Sequence, residues 1–353
     1  MIVNRGRRPI PPAAVPLVGF LLQFFGFHWD ISFHVELGRD SFWQPPHLMV
    51  YFGVALVFAS GVVPILAGRG RASAGCYVLA ASALGQIVAA PIDDLWHRLY
   101  GIDNTLWSFP HLVFIVAGSV TALGLALLAP VWRQPDGGPA RRTLAVLLDP
   151  TLACCGLFLA FLAFAFSEFR LNIPYLIFPY EPYLYPPLLI GAALLAGLIG
   201  FGATGLPFAF TITCAIFTAL SLLVNLELNA LDFVLTPSIP LLLPGALVAD
   251  LLLARPRRAP LLVRVLLASL ALGAIFYAVQ FPYTLYVARP AWFTRVFTVG
   301  WPLAVAVGLL AAPLGLAIGR LLRRTRSPRT EPEARQPEAR VRTPRLVRPT
   351  LSS

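Results

Sequence analysis

Residues 27–47 read FHWDISFHVELGRDSFWQPPH, and residues 92–111 read IDDLWHRLYGIDNTLWSFPH. The two stretches align as Asp30/Asp93, His34/His97, Gly38/Gly101, Asp40/Asp103, Trp43/Trp107, Pro46/Pro110 and His47/His111, with one residue inserted in the second. Each joins one long apolar run to the next. All five histidines of the chain (His28, His34, His47, His97 and His111) fall within them. Ionisable groups are costly near hydrocarbon and usually face a site. Their concentration here marks two repeated helical hairpins that carry chemistry at their tips.

The surrounding composition sets the class. Hydrophobic residues make up 58% of the chain and charged residues only 12%, with a mean hydropathy of +0.76. A soluble domain is far more polar, so the expected fold is all-α, a polytopic integral membrane helix bundle. About ten spans are predicted: from Ala13 into the first motif, then about 46–67, 73–96, 110–131, 143–166, 184–204, 206–225, 237–254, 261–281 and 298–321. Each approaches the roughly 20 residues that cross a bilayer. Residues 1–131 thus form a four-helix region with the motifs, 132–322 six further spans, and 323–353 a basic tail.

The net charge of +11 does not point to nucleic acid. All 27 basic residues are arginine, clustered at Arg69 and Arg71, at Arg133, Arg141 and Arg142, at Arg255, Arg257 and Arg258, and at Arg320, Arg323, Arg324 and Arg326. Every cluster follows an even-numbered span. Together with Arg5, Arg7 and Arg8 they predict cytoplasmic termini and motifs on the extracytoplasmic side of the cell membrane. The exceptions, Arg39, Arg98, Arg170, Arg289 and Arg295, form no cluster. Residues 1–12 lack a small-residue cleavage site and do not read as a removable signal peptide.

Several features have plain readings. Cys76, Cys154, Cys155 and Cys214 lie in apolar runs, without CxxC spacing, and read as small buried hydrophobes. Trp29 and Trp96 read as interfacial anchors. The tail, rich in Arg, Pro, Glu and Thr, is too polar to fold. The aromatic stretch Ile173 to Pro187 reads as an interfacial lid on the motif side.

Asp30 and His34, like Asp93 and His97, stand i and i+4, so on a helix each pair shares a face. His47 and His111 each follow a proline expected to open the next helix. Each hairpin therefore offers two ligands from one helix end and a third from the start of its partner. A carboxylate with two imidazoles suits copper, zinc or iron with open coordination positions. The plain alternative is a hydrogen-bonded polar cluster that fastens helices together. Arg39, Asp40 and Asp103 are expected to hold the outer N–H groups of ligand imidazoles, or to pair in a loop. His28, Glu36 and Asp94 have no counterpart between the copies that explains them and are expected to be solvated at the interface.

The order Asp30, three residues, His34, four residues, Arg39-Asp40, then Pro45-x-His47 resembles the copper-binding helix in the copper-site membrane subunit of the copper membrane monooxygenases, the family of particulate methane monooxygenase and ammonia monooxygenase. Asp93, His97, Asp103 and His111 resemble the neighbouring copper site of the same family, with Asp93 where the family has Asn. The resemblance covers about residues 25–115. It implies copper, companion monooxygenase subunits or a soluble copper donor in a separate chain, and oxygen-dependent hydroxylation of a small apolar or ammonia-like substrate. The competing expectation is a non-enzymatic protein for copper acquisition, storage or delivery. A zinc hydrolase with Asp94 or Glu36 as base ranks last, because no HExxH-like arrangement is present.

Overall fold

The computed structural model describes residues 13–38, 42–68, 72–101, 106–129, 144, 146–167, 182–234, 236–254, 259–286 and 294–326. Among them every regular element is a helix: α1 (Ala14–Leu37), α2 (Pro45–Ala67), α3 (Ala74–Tyr100), α4 (Phe109–Leu128), α5 (Pro150–Phe164), α6 (Tyr185–Thr204), α7 (Ala209–Ala230), α8 (Leu243–Ala254), α9 (Leu261–Tyr286), α10 (Thr294–Thr298) and α11 (Gly300–Arg326). Eight spans are long and apolar enough to cross a membrane, with α10 and α11 together forming one of them. The chain is a helical membrane bundle.

Two of the ten expected spans are shorter helices. The stretch 143–166 yields α5, with 15 residues, and 237–254 yields α8, with 12. At about 1.5 Å per residue, these reach about 22 and 18 Å, against a hydrocarbon core of about 30 Å. The start of α5 has a local cause. Asp149 accepts hydrogen bonds from the backbone N–H groups of Thr151 (2.8 Å) and Leu152 (3.3 Å), and Pro150 occupies the first turn. Nearly all of α5 is buried against α4, α6 and α7, so its length answers to protein rather than lipid.

The helices that carry the motifs close on themselves. α1 packs on α2, α2 on α3, α3 on α4, and α4 back on α1. Gly19 and Gly53 let α1 and α2 touch backbone to backbone: a Cβ on Gly53 would lie 2.9 Å from both the N and the Cγ of Gln23. Below the motifs the apolar fill is aromatic. Phe27 meets Phe114 of α4 and Phe161 and Phe164 of α5 edge-on or tilted, with centroids 5.4–5.8 Å apart.

The far end of the bundle is basic. α11 runs on to Arg326, past the expected boundary of the tail at 323, and Arg323 Nε donates to the carbonyl of Ala203 near the end of α6 (3.1 Å). Arginine completes a helix C-terminus there, which is why the polar sequence stays helical. Of the aromatic lid stretch, 173–181 lie outside the described residues; Pro182–Leu184 form a 3-10 turn and Tyr185–Pro187 open α6. All four cysteines are buried thiols, as expected of small hydrophobes.

Replacing Gly53 with Val forces α1 and α2 apart. We expect a loss of about 1–3 kcal/mol, typical of overpacking, seen as a lower unfolding temperature of the protein in mild detergent. An unchanged unfolding temperature would mean that this contact does not hold the first hairpin.

Candidate metal centre

Both motifs are built alike. α1 ends at Gly38 (φ 81°, ψ 170°) and α3 ends at Gly101 (φ 86°, ψ −170°), a left-handed φ that glycine adopts without strain. The residues that open the next helices also match: Gln44 (φ −65°, ψ 154°) precedes α2 and Ser108 (φ −63°, ψ 154°) precedes α4. Each helix starts one residue earlier than expected. Pro46 and Pro110 are therefore second helical residues, and His47 and His111 third.

This geometry gathers Asp30, His34 and His47 into one triad and Asp93, His97 and His111 into another, with the donor atoms of each set within 4.8 Å of one another. Both sets are half-buried or deeper. Two donors each about 2.1 Å from one ion stand at most about 4.2 Å apart, so a side-chain shift well under about 1 Å closes either set. The triads are neighbours: the Asp30 and Asp93 carboxylates act on one another electrostatically, and Asp93 acts on His47.

The imidazoles are oriented by backbone carbonyls. His47 Nδ1 lies 3.2 Å from Phe42 O, and His97 Nδ1 lies 3.3 Å from Gly101 O. A carbonyl only accepts, so each Nδ1 carries the proton and each Nε2 turns toward the carboxylate. His47 Nε2 is 3.0 Å from Asp30 Oδ1. In the second triad, the Nε2 atoms of His97 and His111 lie 3.5 and 3.3 Å from Asp93 Oδ1. That buried oxygen is where the two imidazoles meet. This convergence makes an ion pair when the imidazoles are protonated and a ligand set for a cation when they are neutral.

Comparison with known proteins leaves this geometry to speak alone: no family model, curated protein or solved structure matches the chain.

The other residues singled out from sequence divide clearly. Arg39, Asp40 and Asp103 lie outside the described residues. His28 is apart from both triads. Its Nδ1 donates to Phe24 O (2.9 Å) and its ring sits between Phe24 and Phe164. Asp94 is paired with Arg98 at 2.6 Å, and Glu36 accepts from the backbone of Val234 at 3.2 Å, so both are tied into structural contacts.

Three glutamines belong to the motifs although the sequence does not mark them by charge. Gln44 reaches into the first triad, with Nε2 at 3.0 Å from Asp30 Oδ1, 3.2 Å from His34 Nε2 and 3.3 Å from His47 Nε2. Gln23 and Gln86 each stand seven residues before the motif aspartate, on the same helix face two turns deeper. Both are fully buried, and among the described residues neither amide atom of either has a hydrogen bond. The pattern Gln, six residues, Asp, three residues, His, three residues, Gly in both copies was the signal available.

Gly101→Ala tests the turn. A Cβ there would meet nothing within 4 Å, so the cost comes from φ alone, about 1–2 kcal/mol, and any relaxation of φ turns the backbone carbonyl that orients His97. Gly85→Ala on the same helix, where the Cβ meets only Ala117 at 3.8 Å, should be neutral or stabilising by up to about 1 kcal/mol. Equal unfolding temperatures for the two variants would refute the assigned role of the turn.

Proposed function

We propose that this chain is a membrane protein that holds two metal ions at the extracytoplasmic face, copper in the first instance, and that it serves as the copper-site subunit of a membrane monooxygenase or a relative of one. The observation that carries the metal reading is the pair of half-buried carboxylate and imidazole triads, each with donors turned inward. Asp30, His34 and His47 would hold one ion and Asp93, His97 and His111 the other. Copper held by three protein ligands supplies redox chemistry with open coordination positions. The correspondence of the two hairpins, residue by residue, supports reading them as an internal repeat.

The chain's own residues furnish the rest. Phe27, Phe114, Phe161 and Phe164 keep water from the inner side of the triads and leave an apolar surrounding for a small apolar substrate. A shallow apolar groove between α3 and α4 is lined by Ala81, Phe109, Leu112, Val113 and Val116, and a small apolar molecule would find a surface there. Companion subunits or a soluble copper donor would be separate chains.

Metal analysis of the protein purified in mild detergent should find about two copper ions per chain. His34→Ala and His97→Ala should each remove about one, with the helical content unchanged, whereas His28→Ala should remove none. Equal metal content in all three variants would defeat the assignment. Copper at full stoichiometry without oxygen-dependent turnover, in the presence of its companion subunits, would instead assign the chain to copper acquisition, storage or delivery. Stoichiometric zinc in place of copper would overturn the choice of metal.

The proposed orientation rests on the basic far end, where Arg323 closes α6, opposite the triads. Alkaline phosphatase fused after Gly38 or Gly101 should be active, and fused after Arg71 inactive. The reverse pattern would invert the topology and place the triads in the cytoplasm.

A further inference from the structure

The crossing that contains α8 is only half helical, and the sequence supplies the reason. Residues 236–244 read TPSIPLLLP. Pro237 and Pro240 lack the N–H that a helix needs and crowd the turn before them, so residues 236–242 stay non-helical and α8 starts at Leu243. Three contacts fix the depth of that start. Leu253 O accepts from Arg264 Nη1 (2.7 Å), a Cβ on Gly245 would lie 2.8 Å from Leu272 O, and Leu241 N–H donates to Gln280 Oε1 (2.8 Å). The chain therefore runs antiparallel to α9, whose 26 residues are long and apolar enough to cross a membrane. α8 begins beside the middle of α9, and non-helical backbone passes along the remaining half. Such backbone persists at membrane depth where protein buries it or where it lines a site, and helices broken in this way often hold ligands at their ends.

The polar groups gathered at this break are donors. Ala246 is the first residue of α8 whose N–H meets a helical carbonyl, that of Leu242 (2.9 Å). Pro244 has no N–H, and among the described residues the N–H groups of Leu243 and Gly245 have no hydrogen bond. Gln280 is fully buried, and its orientation is fixed by Leu241, because only the amide oxygen can accept that N–H. Its Nε2 is left without a hydrogen bond among the described residues, which is costly for a buried group. The start of a helix adds partial positive charge. Neither residues 233–249 nor α9 carries a carboxylate to answer these donors. Leu242 and Phe276 nearby are fully buried. Gly273, two turns from Gln280 on the same face of α9, lines an apolar cavity of about 150 Å³ with Ile190, Leu194, Leu270, Trp301 and Gly308.

We propose that Gln280 and the start of α8 form a second binding site, which takes the acceptor oxygen of a small apolar molecule, a carboxylate or a carbonyl. Gln280 Nε2 and the N–H groups of Leu243 and Gly245 donate to that oxygen. The apolar remainder packs against α9 toward the cavity at Gly273. The site shares no residue with the triads and does not depend on what they hold.

The test measures equilibrium binding of radiolabelled octanoate and of radiolabelled 2-octanone to the full chain in mild detergent, each corrected for uptake by protein-free micelles. Gln280→Glu keeps an oxygen for Leu241 N–H and removes the NH₂ donor. Leu243→Pro removes one backbone donor at the first helical position, where proline is favoured. The unaltered protein should bind one of the probes saturably, and Gln280→Glu should weaken that binding tenfold or more and Leu243→Pro threefold or more. Loss of octanoate binding in the variants assigns the site to a carboxylate, and loss of 2-octanone binding alone assigns it to a carbonyl. Unfolding temperatures show whether each variant is folded, and Leu243→Pro, which leaves the bond between Leu241 and Gln280 in place, decides the matter if Gln280→Glu does not fold. Saturable binding of neither probe, or binding that the folded variants leave unchanged, overturns the proposal.

Discussion

A carboxylate held against imidazoles in an apolar bundle needs a positive partner, whether a proton on a ring nitrogen or a cation, and the upper half of this molecule gathers two such clusters. Asp30 Oδ1 and His47 Nε2 stand 3.0 Å apart, with the histidine's proton committed to a backbone carbonyl on its other side. Gln44 donates to the same Asp30 oxygen. The hairpin fixes this cluster in place, because α1 and α2 meet backbone to backbone at Gly19 and Gly53, and the chain turns back through Gly38 at a φ that few other residues accept. Apolar packing and polar contact therefore act on Asp30 and His47 in the same direction.

The rest of the bundle follows from having to support such a site inside a membrane. Ligands near hydrocarbon are tolerated when protein, rather than lipid, surrounds them. α5 serves this purpose: too short to span, it stands behind α1 and α4 and contributes Phe161 and Phe164 to the wall beneath the ligands. At the opposite end Arg323 fastens α11 to α6, so polar chemistry of a different kind closes the bundle there.

Much of this was legible in the sequence. Spacing of i and i+4 put Asp30 with His34 and Asp93 with His97, because a helix face is a local property that periodicity reports directly. The pairing of His47 with Asp30 followed from the proline that opens α2. What could not be read was tertiary. The apolar run 143–166 is uniform around its axis, so composition could not distinguish a full span from a shorter buried helix, although Asp149-Pro150 was a start signal in plain sight. Gln44 received no reading from the sequence, since its reach into the triad depends on the backbone angles that precede α2. Gln23 and Gln86 carried a visible signal, seven residues before each aspartate, but an uncharged amide stands out less in an apolar run than a carboxylate or an imidazole does.

The aspartate at 93 bears on whether the two triads act together. On the proposed metal reading, a divalent ion with one carboxylate leaves a net charge of +1 at each site; an amide at position 93 would leave +2 at the second. Were the two centres about 10 Å apart, with an effective dielectric of about 20, Coulomb's law would give a repulsion of about 1.7 kcal/mol for the first arrangement and about 3.3 for the second. The second carboxylate thus removes about 1.6 kcal/mol of mutual repulsion, more than tenfold in the affinity of whichever ion arrives last. The same carboxylate raises the opposite problem before loading, when Asp30 and Asp93 repel each other across the gap between the triads. A single cation in the second triad relieves that repulsion for both. On the proposed metal reading, electrostatics therefore favours one filled site over none.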